Sequence, residues 1–302
     1  MFVSDRYVFL ELQKTGSTHI RALLKELVGG ALVGKHNQVT PELLDGSHVI
    51  LGSIRNPWDW YVSLWAFGCG RLGDLYATAT RRRRARGHGW RSNPITALGR
   101  LAEELRRDPD EWRRVYADPD DPEAFRRWLF LALEHLPYQA YDYGAPSLGR
   151  HVGLMSYRYL HLYCATAGDG AALARLGSFG AAVTFEREHN LVDHFIRTEA
   201  LEDTLIEALQ RSGTELSAGQ LVRVRDRQRS NTSSRRRGTS DFYDAATAAL
   251  VAERERLLIE RFGYLSPLAP AIVGQPEPEA SPLATIEGAL SSSDAPAGIQ
   301  SA

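Results

Sequence analysis

The chain of 302 residues has few cysteines, few lysines and no long apolar run. Its two cysteines, Cys69 and Cys164, are far apart and lack C-x-x-C spacing, so the sequence indicates neither a disulfide framework nor a cysteine zinc site. No apolar stretch reaches the roughly 18 residues of a membrane span. The first predicted strand begins by Arg6, which leaves no room for a signal peptide. We therefore expect a cytoplasmic protein without a membrane span.

The chain also has no marked excess of positive or negative charge. The 36 basic and 37 acidic side chains leave a net charge of −1, so we expect neither nucleic acid nor a membrane surface as a general partner. Only three of the basic residues are lysines, namely Lys14, Lys25 and Lys35. A lysine ammonium is a compact charge on a flexible stem, whereas the arginine guanidinium is a planar fork. The rare lysines therefore mark positions where a mobile point charge is useful.

The first twenty-eight residues predict a strand, a loop and a helix. Tyr7 to Leu12 is rich in strand-forming side chains, and the apolar residues from Ile20 to Leu27 have the spacing of one helix face. In such a unit, the N–H groups of the loop and the positive end of the helix dipole converge on one point, where a phosphate or sulfate can bind. Lys14 adds a cation there. The alternative is an ordinary strand-turn-helix with a solvated lysine.

A second unit of the same kind follows. His48 to Ile54 is apolar almost throughout, as expected for a parallel strand covered on both faces. Arg55-Asn56-Pro57 ends this strand, and Trp58 to Phe67 continues as an aromatic helix. Two such units side by side place both loops at the carboxyl edge of a sheet, where ligands of open α/β folds bind. The predicted fold class is α/β, a parallel sheet flanked by helices.

The rest of the chain divides into a helical insertion, a closing α/β part and a tail. The insertion covers about residues 68–180 and contains an arginine run, which we interpret as a solvated loop or, alternatively, an anion clamp. Val192 to Ile196 predicts a further strand, and Tyr243 to Phe262 the last helix. The tail lacks Lys, Arg and aromatic residues, so we predict a folded domain over residues 1–267 and disorder over 268–302.

Two sequence motifs in the paired units resemble a known family. Gly16 follows Lys14 by two positions, so the loop is not the nucleotide-hydrolase motif G-x-x-x-x-G-K-[ST]. Lys-Thr-Gly-Ser-Thr instead resembles the 5′-phosphosulfate loop of sulfotransferases that use 3′-phosphoadenosine 5′-phosphosulfate (PAPS). The segment from Val49 to Ser63 resembles their 3′-phosphate-binding segment. The resemblance covers residues 6–66 and about 190–265, and it is to bacterial and carbohydrate sulfotransferases. It implies a P-loop-like sulfotransferase fold with a helical insertion.

The resemblance also implies roles for individual residues. Lys14 would neutralise charge on the bridging oxygen of the leaving 3′,5′-ADP. Arg55 and Ser63 would hold the 3′-phosphate, as a guanidinium fork and a hydroxyl on the following helix. The 5′-phosphate would be held by Thr15, Gly16, Ser17 and Thr18. A loop near residue 235 resembles the family's Arg-Lys-Gly loop, with its lysine absent, which implies cofactor contacts from Arg236, Arg237 and Gly238.

The same resemblance implies a histidine as general base. In the carbohydrate-type branch this histidine lies between the two motifs, and His36 occupies that region at the carboxyl end of a predicted strand, Ala31 to Gly34. A histidine titrates near neutral pH, which suits a base. His48 is the rival, but it begins its strand and so lies at the opposite edge of the sheet. Glu11 is the next candidate.

The predicted function is transfer of a sulfuryl group from PAPS to a hydroxyl or amine of a small-molecule or glycan acceptor, without a metal ion. One alternative is a nucleotide-dependent kinase, which needs a Walker loop and a carboxylate for magnesium; only Asp59 is available for the second role. Another is a non-catalytic nucleotide-binding protein, which the presence of both Lys14 and His36 disfavours. The acceptor would be set by the insertion, which resembles nothing familiar.

Overall fold

The computed structural model describes residues 1–81, 108–135, 148–164, 170–228 and 235–269. Met1–Leu268 forms one compact unit, and only the first residue of the second unit, Ala269–Ala302, is described. Residues 82–107 of the predicted helical insertion and nearly all of the predicted tail lie outside the described residues. So does the arginine run beyond Arg81.

A five-stranded mixed sheet organises the described chain. Its strands are β1 (Phe2–Val3), β2 (Tyr7–Leu10), β3 (Ala31–Leu32), β4 (Val49–Ile54) and β5 (His194–Arg197), in the order β3-β1-β2-β4-β5. Strands β2, β4 and β5 are parallel to one another, whereas β1 pairs antiparallel with both β2 and β3. The predicted α/β class with flanking helices is confirmed.

The prediction of a wholly parallel sheet was wrong because the chain begins with a hairpin that the sequence analysis did not recognise. Only three residues separate β1 from β2, and the turn is closed by the Ser4 N–H donating to the Tyr7 carbonyl at 2.9 Å. A connection this short joins antiparallel strands, since a parallel pair needs a crossover of a dozen residues or more. The parallel part of the sheet is therefore limited to three strands.

The register of these three strands brings their carboxyl ends to one edge. Leu10 pairs with Gly52, and Ile54 pairs with Arg197. The segments that follow β2, β4 and β5 consequently meet at this edge, as expected from the paired strand-loop-helix units.

Helices cover both faces of the sheet. The described α-helices are α1 (Ser17–Val28), α2 (Pro57–Cys69), α3 (Gly73–Thr80), α4 (Pro109–Val115), α5 (Pro122–Phe130), α6 (Leu154–Tyr163), α7 (Gly170–Ala174), α8 (Phe179–His189), α9 (Leu201–Arg211), α10 (Ala218–Asp226), α11 (Thr239–Phe242), α12 (Ala245–Arg254) and α13 (Arg256–Phe262). Alternate side chains of β2 enter two different cores, with Tyr7 and Phe9 facing α1 and α9, and Val8 and Leu10 facing the α2 side. Within the described residues, none of these helices is long and apolar enough to cross a bilayer.

The last predicted helix is two helices, broken at Glu255. The Glu255 side chain is fully buried and accepts hydrogen bonds at the amino end of α6, from the N–H groups of Met155 at 3.0 Å and Ser156 at 2.8 Å. The Ser156 hydroxyl and the Tyr61 hydroxyl also donate to it, and Tyr61 in turn accepts from the Leu154 N–H at 3.1 Å. The first three N–H groups of α6 are thus satisfied from distant parts of the chain.

Glu255→Gln is expected to lower the free energy of unfolding by about 1–3 kcal/mol, because an amide cannot accept at both ends and leaves a buried donor of α6 unsatisfied. Urea unfolding measures this. Glu253→Gln, an exposed position on the same helix, is the control and should change stability by less than about 0.5 kcal/mol. Equal effects of the two substitutions would contradict the role given to Glu255.

Candidate functional site

The loop after β2 wraps closely around the amino end of α1. Lys14 has φ 64° and Gly16 has φ 76°, so two residues out of three are left-handed. At Gly16 a Cβ would also lie 2.8 Å from the Leu201 side chain, so a larger residue would need that side chain to shift in addition to adopting a left-handed backbone. The N-cap residue of α1 is Gly16, which has no side chain to cap the helix, and the first turn contains no acidic residue. A helix amino end of this kind is able to bind an anion.

The Lys14 ammonium lies beside this loop, with its Nζ 4.1 Å from the centroid of the Phe67 ring. Partial burial and, to a smaller extent, the nearby positive charge of Arg55 together lower the pKa of Lys14 to about 8. Phe67 lies on α2, four and eight residues after Ser63 and Asp59, so the three share one face of that helix. This face of α2 lies beside the loop, since Phe67 contacts Lys14.

The side chains of the predicted 5′-phosphate loop point in different directions. The Thr15 side chain is fully buried; its hydroxyl donates to the Leu12 carbonyl at 2.7 Å and lies 2.6 Å from Ser53 Oγ. This hydroxyl holds the loop to β4 and leaves only the backbone of Thr15 for a ligand. Ser17 is half-buried and Thr18 exposed in the first turn of α1.

Arg55 directly follows β4. It belongs to a cluster of charged and polar side chains that we name the arginine clamp: Arg55, Asp59, Arg235 and Thr239. Arg55 donates through Nε to Asp59 Oδ2 at 2.7 Å and through Nη1 to the Lys14 carbonyl at 3.1 Å. Asp59 Oδ1 accepts from Arg235 Nη2 and, at 2.6 Å, from the Thr239 hydroxyl. Burial alone would raise the pKa of Asp59, but Arg55, Arg235 and Thr239 outweigh it and hold this pKa at about 2.

Arg235 is the arginine that the sequence analysis did not choose. Among the predicted contacts, the Arg236 side chain is 92% exposed, and the backbone N–H of Arg236 donates to Asp120 Oδ1 at 2.7 Å. Arg237 donates to the Asp120 carbonyl at 2.9 Å, and the Gly238 N–H is bound by Asp241. The structure therefore brings Arg235, and not Arg236, Arg237 or Gly238, to Arg55. A run of three arginines carries no signal that tells them apart.

The Arg235 guanidinium also has a free edge. Its Nη1 atom is buried and has no hydrogen-bond partner within the described part of the chain, whereas its Nη2 is bound to Asp59. Ser63, the other predicted 3′-phosphate residue, is buried on α2 one turn beyond Asp59. A buried guanidinium donor without an acceptor costs free energy. An anion bound at the clamp would supply the missing acceptor.

His36 lies on the other side of the loop, with φ 56°. Its Nδ1 is 2.6 Å from the Glu11 carbonyl oxygen, so in the neutral ring Nδ1 carries the proton and Nε2 keeps its lone pair. Partial burial lowers the pKa of His36; the contact with Glu11 raises it, and the positive charge of Arg158 adds to the lowering. In this tautomer Nε2 is the ring nitrogen that can accept a proton.

The other two candidates for the base are Glu11, whose carboxylate is already in ion pairs, and His48, which lies at the other edge of the sheet. The Glu11 carboxylate is buried and forms ion pairs with Arg21 Nη1 and with the amino group of Met1, each at 3.0 Å. His48 directly precedes β4 at the amino edge of the sheet, where its Nδ1 is 2.9 Å from Ser47 Oγ. This agrees with the position predicted for His48.

Helix α6 contributes a residue that the sequence analysis missed. Arg158 is 6% exposed, and its Cζ is 5.6 Å from the centroid of the Trp60 ring. Trp60 is fixed to the loop, since its Nε1 donates to the Gln13 carbonyl at 2.6 Å. Gln38 joins the His36 segment to the same helix by donating to the His161 carbonyl at 2.8 Å. One signal was present: Arg158 is a lone charge in a helix that otherwise reads as apolar.

The edge of the sheet therefore carries two adjoining groups around Lys14: the arginine clamp on the α2 side, and His36 with Arg158 on the α6 side. Within the described residues, no group of three or more His, Cys, Asp or Glu side chains is arranged to hold a metal ion. A shallow depression lined by Gln210 and residues 213–216 is found at the opposite edge, near Arg6, and is separate from this site. Comparison with protein-family models, curated proteins and solved structures gave no match.

Proposed function

We propose that the protein is a PAPS-dependent sulfotransferase that transfers a sulfuryl group to a hydroxyl or amine and releases 3′,5′-ADP. The proposal is supported by three features found near the amino end of α1: Lys14, the arginine clamp, and His36, whose Nδ1 contacts the Glu11 carbonyl just before the loop. The donor's 5′-phosphosulfate would lie at that helix end and its 3′-phosphate at the clamp. PAPS is a substrate here, and the reaction needs no metal ion.

In-line transfer explains the placement of these groups. The acceptor hydroxyl gives its proton to His36 Nε2 while its oxygen forms a bond to sulfur. The bond between sulfur and the bridging oxygen breaks, and its electron pair remains on the phosphate of 3′,5′-ADP. The Lys14 ammonium neutralises that growing charge. Because such transition states are loose, positioning and charge stabilisation supply most of the catalysis.

The kinase alternative is weaker on this geometry. A magnesium ion would need a carboxylate at the strand end, and Asp59 is already bound by two guanidinium groups and a hydroxyl. Thermal shift separates the candidates, because a ligand that binds the folded state stabilises it by RT ln(1 + [L]/Kd), about 2.7 kcal/mol at 100 times Kd. We expect 3′,5′-ADP to raise Tm and ATP–Mg²⁺ not to do so. The reverse result would favour the kinase.

Arg55→Ala and Arg235→Ala are each expected to weaken 3′,5′-ADP binding by about 1.5–3 kcal/mol, the range for a charge-assisted hydrogen bond. Affinity for 5′-AMP, which lacks the 3′-phosphate, should stay nearly unchanged. Titration calorimetry measures both. Arg236→Ala is the matched control, because the adjacent Arg236 is almost fully exposed, and it should leave both affinities unchanged. Equal losses for 5′-AMP and 3′,5′-ADP would show that the clamp does not bind the 3′-phosphate.

A further inference from the structure

The segment 235–242, which carries Arg235, lies along a helix of the insertion. On α5, Arg126 Nε donates to the Phe242 carbonyl at 3.1 Å. The Phe125 ring of the same helix meets the Phe242 ring edge-on, with the two centroids 5.5 Å apart. The insertion therefore holds the end of this segment that is farther from Arg235.

Asp120 holds the end that is next to Arg235. It lies directly before Asp121, the N-cap of α5. Its Oδ1 accepts from the backbone N–H of Arg236 at 2.7 Å, and its carbonyl accepts from Arg237 Nε at 2.9 Å. The donated N–H belongs to the planar peptide bond between Arg235 and Arg236. Asp120 thus restricts the backbone from which the Arg235 side chain extends.

We infer that Asp120 is a positioning residue for the donor's 3′-phosphate, which it does not contact, because it holds Arg235 at the arginine clamp; the inference rests on the proposed sulfotransferase function. Arg235 Nη1 is buried and has no acceptor in the part of the chain that the structure describes. A donor that is held in place beforehand loses less conformational entropy when its ligand binds. Asp120 therefore strengthens the binding of a 3′-phosphate.

Charge and positioning predict opposite effects at this residue. The Asp120 carboxylate is negative, so its removal would strengthen the binding of an anion if only its charge mattered. If the carboxylate holds Arg235 in place, its removal weakens that binding instead. The ion pair from Asp120 Oδ2 to Arg236 Nε spans 3.8 Å and involves a side chain that is 92% exposed, so it contributes little. The sign of the change therefore separates the two roles.

Titration calorimetry with 3′,5′-ADP and 5′-AMP tests the inference. Asp120→Ala is expected to raise the Kd for 3′,5′-ADP by about 3- to 30-fold, on the scale of one hydrogen bond to a charged group. Its Kd for 5′-AMP should stay at the wild-type value, which also shows that the variant is folded. An unchanged or lower Kd for 3′,5′-ADP in Asp120→Ala would overturn the inference.

Asp120→Asn removes the charge but keeps a side-chain oxygen that can accept the Arg236 N–H. It should therefore bind 3′,5′-ADP within about twofold of wild type, since only a weak exposed ion pair is lost. A loss as large as that in Asp120→Ala would contradict the role given to this hydrogen bond. Asp120→Ser, whose side chain ends one atom short of the carboxylate oxygens, replaces Asp120→Ala if the latter does not bind 5′-AMP.

A double substitution shows whether Asp120 acts through Arg235. In the Arg235→Ala background, Asp120→Ala should cause no further loss of 3′,5′-ADP affinity, because no guanidinium is left to position. The same loss in both backgrounds would overturn the inference. Asp5→Ala is the control of equal charge, because Asp5 is exposed in the turn between β1 and β2, at the opposite edge of the sheet. It should leave both Kd values unchanged.

Failure of the proposed function would look different from failure of this inference. If the protein does not use PAPS, wild-type protein itself should bind 3′,5′-ADP no more tightly than 5′-AMP. If only the role of Asp120 is wrong, wild-type protein keeps its preference for 3′,5′-ADP, and Asp120→Ala keeps the same preference.

Discussion

Lys14→Ala is expected to lower kcat by about 10²–10³-fold or more while weakening 3′,5′-ADP binding only modestly. The ammonium acts mainly on charge that develops as the bridging bond breaks, and the removal of one such group usually costs this much. Lys25→Ala, which removes an exposed lysine near the other end of α1, should leave both kcat and the 3′,5′-ADP Kd unchanged. Equal losses in kcat and in donor affinity would instead make Lys14 a ground-state anchor.

The pH dependence gives an independent reading of Lys14. Because its pKa is lowered to about 8, the free protein loses the ammonium as pH rises through this value, and kcat/KM should fall there. Lys14→Arg keeps its charge at every accessible pH, so the alkaline limb near pH 8 should disappear whatever rate remains. An unchanged alkaline limb in Lys14→Arg would assign that limb to another group.

His36→Ala is expected to lower kcat by roughly 10²–10⁴-fold, the usual share of general-base catalysis, with normal 3′,5′-ADP binding. The pKa of His36 is held below its usual 6.5, first by partial burial. The base is therefore neutral at pH 7, and kcat/KM should fall only as pH drops below about 6.5. Rate profiles of the wild type and the variant measure both effects.

His48→Ala is the matched control for that substitution. Since His48 lies at the amino edge of the sheet, its loss should change neither kcat nor the acid limb. A wild-type rate in His36→Ala, or reversed phenotypes of the two variants, would show that His36 is not the base. Glu11 would be a poor replacement, because its carboxylate is buried in two ion pairs.

Local sequence signals were sufficient to predict the strands and helices that frame the site. Apolar spacing identified α1, and Asn56 with Pro57 marked the start of α2; the structure has Asn56 as the N-cap, accepting from the Trp58 N–H at 3.0 Å. Such signals lie within one turn or strand of the chain, so they are readable without knowing what packs where. They were enough to put Lys14 and Arg55 at the carboxyl ends of neighbouring strands.

The side chains that meet between these elements could not be predicted in the same way, because they come from distant parts of the chain. Arg235 contacts Asp59 across 176 positions of sequence, and Arg158 reaches Trp60 from a helix in the insertion. Glu255 likewise satisfies the amino end of α6 from a point 99 residues away from Ser156. The local spacing of apolar residues predicts a helix and its buried face, but it does not predict which other element packs against that face. The partner follows from the way the cores on the two faces of the sheet fill, which depends on all the helices at once.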